Sequence, residues 1–89
     1  MISKPITIVN KLGLHARAAA KFVTCANRYA CEIQLERNGQ RVNGKSIMGV
    51  MMLAAGRGTQ LMLTAEGEDE GAAVEALGDL VDQRFGEDE

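Results

Sequence analysis

The chain holds one histidine, His15, and its neighbours are of the kinds that handle an anion. It lies in Gly13-Leu14-His15-Ala16-Arg17, where an irregular stretch gives way to helical spacing. The start of a helix offers backbone N–H groups with no partner in the helix, and a partial positive charge, both of which favour an anion. A phosphoryl group carried on the ring would lie against the N–H groups of Ala16 and Arg17. The Arg17 side chain would add a charge-assisted donor. Nδ1 is the ring nitrogen nearer the backbone and is the expected bearer. The same positive surroundings favour the neutral, nucleophilic ring. Gly13 permits a tight turn and leaves room for a partner to approach. On position alone, a histidine that carries phosphate and one that only caps the helix both remain open readings.

The elements that must position this site follow from apolar periodicity. Ile2, Ile6 and Ile8 alternate with polar neighbours and predict a first strand, with Pro5 inside it placing that strand at a sheet edge. Asn10-Lys11-Leu12-Gly13 breaks the alternation. From Ala16 to about Tyr29, Ala19, Phe22, Val23, Ala26 and Ala30 recur at helical spacing and predict one buried helix face. Cys31, Ile33 and Leu35 alternate again as a second strand, and Asn38-Gly39 is a strong hairpin signal leading to a short third strand over Gln40–Asn43. Ser46 suits the N-cap of a short apolar helix that stops at Gly56. Leu61, Leu63 and Ala65 predict a fourth strand. Glu68, Asp69 and Glu70 suit the positive end of a last helix whose buried face would be Ala73, Val74, Leu77, Leu80, Val81 and Phe85. Gly78 inside that helix is unfavourable by about 1 kcal/mol relative to Ala. The order is β-α-β-β-α-β-α, an α+β pattern, with Gly86-Glu87-Asp88-Glu89 read as a fraying tail. One sheet with helices on one face buries such one-sided elements.

Size and composition narrow the function classes. The chain has 89 residues, enough for one domain over 1–89. A chain of this mass buries roughly 60–65% of its unfolded surface, which makes a modest core without a deep substrate cavity. With no Trp, one Tyr and two Phe, aliphatic side chains must fill that core. The net charge is −2, but residues 1–46 hold eight Lys/Arg and two Glu, while residues 47–89 hold two Arg and ten Asp/Glu. The basic half contains His15 and would attract an anion or an acidic protein surface. Nucleic acid is disfavoured by the negative total and the few aromatics. Cys25 and Cys31 do not form a C-x-x-C pair, and one histidine does not complete a metal site with them. They are read as reduced packing residues. The start lacks an apolar signal region, and the longest largely apolar run, Ile47 to Ala55, is too short to span a bilayer. No membrane insertion and no cofactor are expected, the cytoplasm is the expected compartment, and a monomer the expected state.

That apolar run has a second meaning. Val50 and Leu53 are expected in the core, yet a helix apolar all round leaves some residues in water. Ile47, Met48 and Met51 are therefore expected to meet partners, because an exposed apolar patch beside a reactive group marks a docking surface and methionine repacks readily. Gly39 to Ser46 also fits the nucleotide-binding P-loop pattern letter for letter. Asn38-Gly39 reads better as a hairpin turn, which puts Arg41 and Val42 in a strand, and the chain is too short for a parallel nucleotide-binding sheet.

Asn10-Lys11-Leu12-Gly13-Leu14-His15-Ala16-Arg17-Ala18-Ala19 resembles the active-site motif of the phosphocarrier protein HPr family of the bacterial phosphoenolpyruvate-dependent phosphotransferase system. Gly44-Lys45-Ser46-Ile47-Met48-Gly49-Val50-Met51 is similar to that family's second motif, around a regulatory serine. The resemblance covers essentially the whole chain, and two separate motifs at the expected separation make it specific. Ala18 departs from it, since many members carry proline there; alanine also suits a first helical turn. The resemblance implies an open-faced β-sandwich, a four-stranded antiparallel sheet in order 1-4-2-3 with three helices on one side. It implies that enzyme I passes phosphate from phosphoenolpyruvate to His15, that the carrier hands it to enzyme IIA domains in sugar uptake and regulation, and that Arg17 stabilises charge in transfer. Such a protein is a carrier with a phosphohistidine intermediate rather than an enzyme. Leu14 and Ala20 join the expected docking residues, and Ser46 becomes a candidate for phosphorylation by an HPr kinase/phosphorylase. Two further readings remain: a regulatory paralogue of the nitrogen-related branch, and a protein-binding module that never holds phosphate.

Overall fold

The computed structural model describes residues 1–89. Strands β1 (Ile2–Thr7), β2 (Glu32–Arg37), β3 (Gln40–Asn43) and β4 (Gln60–Glu66) form one antiparallel sheet in the order β1-β4-β2-β3. Helices α1 (Ala16–Ala26), α2 (Ile47–Met52) and α3 (Glu70–Asp82) complete the β-α-β-β-α-β-α pattern, followed by a 3-10 turn over Arg84–Gly86. This is the open-faced α+β architecture that the resemblance implied. Pro5 sits in the edge strand β1, opposite Met62 of β4, where its missing N–H spares the sheet interior.

The strand alternation sets the layers. Ile6 pairs with Leu61, Leu35 with Leu63 and Ile33 with Ala65, and all six are buried under the helices. The opposite face carries Ser3, Met62, Thr64 and Gln34 and faces water or is half-buried. Ala18, Ala19, Phe22, Val23 and Ala26 form the buried face of α1, and Ala73, Val74, Leu77 and Val81 that of α3. Full burial of each Phe, Leu, Ile or Val contributes about 1.5–3 kcal/mol, and aliphatics around Phe22 and Phe85 make up this core. A Cβ on Gly78 would stand 3.0 Å from Lys4 Nζ, the mobile end of an exposed side chain, so nothing in the structure explains the glycine there.

Four sequence expectations shift. The first helix ends at Ala26 rather than near Tyr29, and Ala30 is exposed outside it. Asp69 accepts hydrogen bonds from Ala30 N at 2.8 Å and Cys31 N at 2.9 Å, which draws this segment out towards β2. The second helix stops at Met52, because Ala54 turns to φ 49° and Arg37 Nη1 donates to the carbonyls of Leu53 and Ala54. Leu80 is only half-buried. Phe85 is buried as expected, but it is reached through a turn beyond α3 rather than along it. The P-loop pattern is not a phosphate loop: Gly39 lies in the β2–β3 turn and Arg41-Val42 are in β3.

Candidate functional site

His15 is the N-cap residue of α1, extended at φ −71° and ψ 177°, and no side chain caps the helix. The first N–H groups of α1 therefore keep the anion-favouring character expected of them. Gly13 holds the turn into this position with φ +69°. A Cβ on Gly13 would stand 2.5 Å from Ala55 O and 2.8 Å from Gly56 Cα, so the space it leaves is taken by this chain's own backbone, not by a partner. Leu14 N donates to that same Ala55 O at 2.9 Å.

The ring is 29% exposed, and its Nε2 lies 2.5 Å from Glu87 Oε2, a contact across 72 residues of sequence. The other carboxylate oxygen of Glu87 accepts from Asn10 Nδ2 at 3.0 Å. Asn10 is fully buried, and its Nδ2 also donates to Gly13 O at 2.9 Å. The hydrogen bond from His15 comes first among the causes that hold the Glu87 carboxyl below the usual carboxylate range, opposed by partial desolvation and aided by Asn10. Glu87 is thus an ionised acceptor at neutral pH, and Nε2 must be the donor. Nδ1 has no partner in the chain and is open to solvent.

The tail is therefore part of the site, contrary to its reading as a frayed end. Lys21 Nζ donates to Phe85 O at 2.7 Å, Arg84 Nη1 to Asp88 O at 3.0 Å, and Lys11 pairs with Glu89 at 3.3 Å. Lys11, His15, Arg17 and the three tail acids line one shallow depression, so its charge is mixed rather than purely positive. The apolar Phe85 beyond the helix and the glycine after it were the only sequence signals for this return. Arg17 is exposed and takes no part in the four ion pairs, which leaves its guanidinium free for an incoming anion.

The remaining candidates separate clearly. Ile47, Met48 and Met51 are 44%, 76% and 42% exposed, while Val50 and Leu53 are buried, as their helical spacing required. Leu14 is buried, so its side chain belongs to the core and not to the docking surface expected of it. Ala20 is half-buried and borders, with Arg17, a groove between α1 and α3. Ser46 is the N-cap of α2, and its Oγ accepts from Gly49 N at 3.1 Å. Burial pushes both thiols up from their ordinary range, so Cys25 and Cys31 are poor nucleophiles at neutral pH. No three side chains cluster as metal ligands, and no helix is long and apolar enough to cross a membrane.

The fold and the likeness to known proteins place the chain among the small phosphocarriers of the phosphotransferase system, which are carriers and not enzymes. Residues 2–83 match the family model described as the PTS HPr component phosphorylation site. The chain is 61% identical over 85 residues to the phosphocarrier protein HPr of Pseudomonas aeruginosa, covering 94% of each. It is 52% identical to that of Neisseria meningitidis over the whole of both chains. Among solved structures, HPr-C-His from Thermoanaerobacter tengcongensis superposes with a TM-score of 0.96 at 46% identity, covering 100% of both chains. The chain belongs to the HPr family. Crh from Bacillus subtilis, 45% identical with a TM-score of 0.76 over 94% of this chain and 97% of its own, is described as a dimer with a swapped domain.

Proposed function

We propose that His15 Nδ1 takes a phosphoryl group from phosphorylated enzyme I, with phosphoenolpyruvate as the original donor, and passes it to an enzyme IIA domain. The single observation that carries this reading is the free Nδ1 on an uncapped helix start while Nε2 is held by Glu87. The Nδ1 lone pair attacks phosphorus as the bond between phosphorus and the donor breaks, its electrons leaving with the donor. The charge on the phosphoryl oxygens then falls near the N–H groups of Ala16 and Arg17, and the free Arg17 guanidinium adds a charged donor. The reverse motion delivers the group to the next protein. Ile47, Met48 and Met51, with Ala20 across the site, supply the docking surface. Action as a monomer in the cytoplasm belongs to the same reading. Ser46 is the proposed regulatory site, since phosphate at the α2 start would place charge beside Ile47 and Met48.

The test is incubation with enzyme I and phosphoenolpyruvate followed by intact-mass measurement. One added phosphoryl group is expected, absent in His15→Ala. Undiminished labelling of that variant would refute the assignment.

A further inference from the structure

We infer that Glu87, held by Asn10, is a positioning residue that keeps a proton on His15 Nε2 through phosphoryl transfer. The inference rests on the proposed role of His15 Nδ1 and adds a second pair of residues to it.

The route to Glu87 is built, not incidental. After α3 the chain turns through two non-glycine residues with positive φ, Arg84 at 58° and Phe85 at 55°. Such conformations are unfavourable for L-residues and persist where the surroundings enforce them. Here Phe85 is only 1% exposed in the core, and its carbonyl is taken by Lys21 Nζ. Lys11 N then donates to Glu89 O beyond Glu87. The tail is pinned on both sides of the carboxylate that meets His15.

Asn10 shows what the arrangement is for. Its Nδ2 serves two acceptors, Gly13 O and Glu87 Oε1, while its buried Oδ1 has no partner. Turning the amide over would set Oδ1 against both acceptors, so the neighbours fix the donor edge towards Glu87. A buried acceptor without a partner is disfavoured, yet this orientation is the one that holds the carboxylate in place.

An ionised carboxylate only accepts, so Nε2 carries hydrogen and the lone pair of the neutral ring is at Nδ1. When Nδ1 bonds to phosphorus and the bond from phosphorus to the donor breaks, its electrons leaving with the donor, the ring becomes cationic with its Nε2 proton still in place. Glu87 lies against that charge. On discharge the N–P bond electrons return to Nδ1, and the leaving group is neutral imidazole rather than imidazolate. No proton moves in either direction.

The test combines 15N NMR of the neutral ring with single-turnover phosphorylation by phospho-enzyme I, using the full chain. In the wild type the Nε2 and Nδ1 shifts should be those of a single tautomer, protonated at Nε2. In Glu87→Ala both should move towards the average of two exchanging tautomers, and transfer should slow roughly tenfold. In Glu87→Gln the fixed Asn10 donor takes the single amide oxygen and turns the NH2 towards Nε2, so the ring should shift to the Nδ1–H tautomer and transfer should stay slow. A wild-type ring protonated at Nδ1, or Ala-variant shifts and rate equal to wild type, overturns the inference. Absence of any phosphorylation of the wild type, with the Nε2–H tautomer present, instead overturns the role of His15 and, with it, any part of Glu87 in transfer, while the tautomer it sets in the resting protein stands.

Discussion

Replacing Gly13 with alanine tests whether the site loop is held by the chain's own backbone. The new methyl meets two difficulties. The residue has φ +69°, where an L side chain is unfavourable by about 1–2 kcal/mol. Its Cβ would also stand 2.5 Å from Ala55 O, the acceptor of the Leu14 N–H, so the loop and the α2–β4 connection must part. Such overpacking adds about 1–3 kcal/mol, and the stiffer unfolded chain returns about 0.4–1 kcal/mol. The net loss is about 1–4.6 kcal/mol, centred on about 3 kcal/mol. In a domain of this size each kcal/mol shifts the thermal midpoint by about 4–8 °C. Gly39→Ala is the matched control, since Gly39 has φ +83° but nothing within 4 Å of the added Cβ. It should lose about 0–1.6 kcal/mol, since no overpacking is added. Urea unfolding of both variants measures the difference, and single-turnover transfer should slow in Gly13→Ala alone, because Gly13 O anchors Asn10. Equal losses in the two variants would refute the claim that the contact with Ala55 and Gly56 sets the loop.

Arg17→Ala should leave unfolding unchanged and slow transfer by roughly ten- to a hundredfold, the value of one charge-assisted donor; Arg17→Lys should recover only part, and wild-type transfer by Arg17→Ala would refute its role. Ser46→Ala should lower stability by about 1 kcal/mol through loss of the Gly49 N–H bond, measured by urea unfolding. Ser46→Asp should bind enzyme I more weakly than Ser46→Asn without lowering the thermal midpoint; equal affinities would leave Ser46 as a cap only. Asp69 is held below the usual carboxylate range, first by the Ala30 N–H bond. A depressed carboxyl stabilises the fold above its unfolded pKa and loses that effect as pH falls through the folded value. Asp69→Asn should therefore lower the urea midpoint at pH 7, with the deficit shrinking below about pH 4; a deficit independent of pH would refute it.

Local signals made the sheet, the hairpin and the helix starts legible. Alternation in β4, Asn38-Gly39 and the Ser46 cap each depend on a few adjacent residues, and Pro5 marked the edge because a missing N–H has one meaning in a sheet. The reactive end of the site was equally local, since His15 and Arg17 share one helical turn. What escaped was set by distant partners. Asp69 shortens the end of α1 from across the fold, and Arg37 does the same for α2. Leu14 looks like a surface neighbour of His15, but the Gly13 turn directs it into the core. Glu87 could not be paired with His15 by spacing, because the pairing depends on two left-handed residues that carry no glycine.

The most direct measurement locates the phosphorus in the phosphorylated protein. The chain labelled with 15N is charged by enzyme I and phosphoenolpyruvate, and coupling between 31P and the ring nitrogens is read. One coupled nitrogen is expected, Nδ1 of His15, with hydrogen retained on Nε2 and a bond that is lost in mild acid and survives base. Phosphorus on Nε2, or an acid-stable label on another residue, would contradict it.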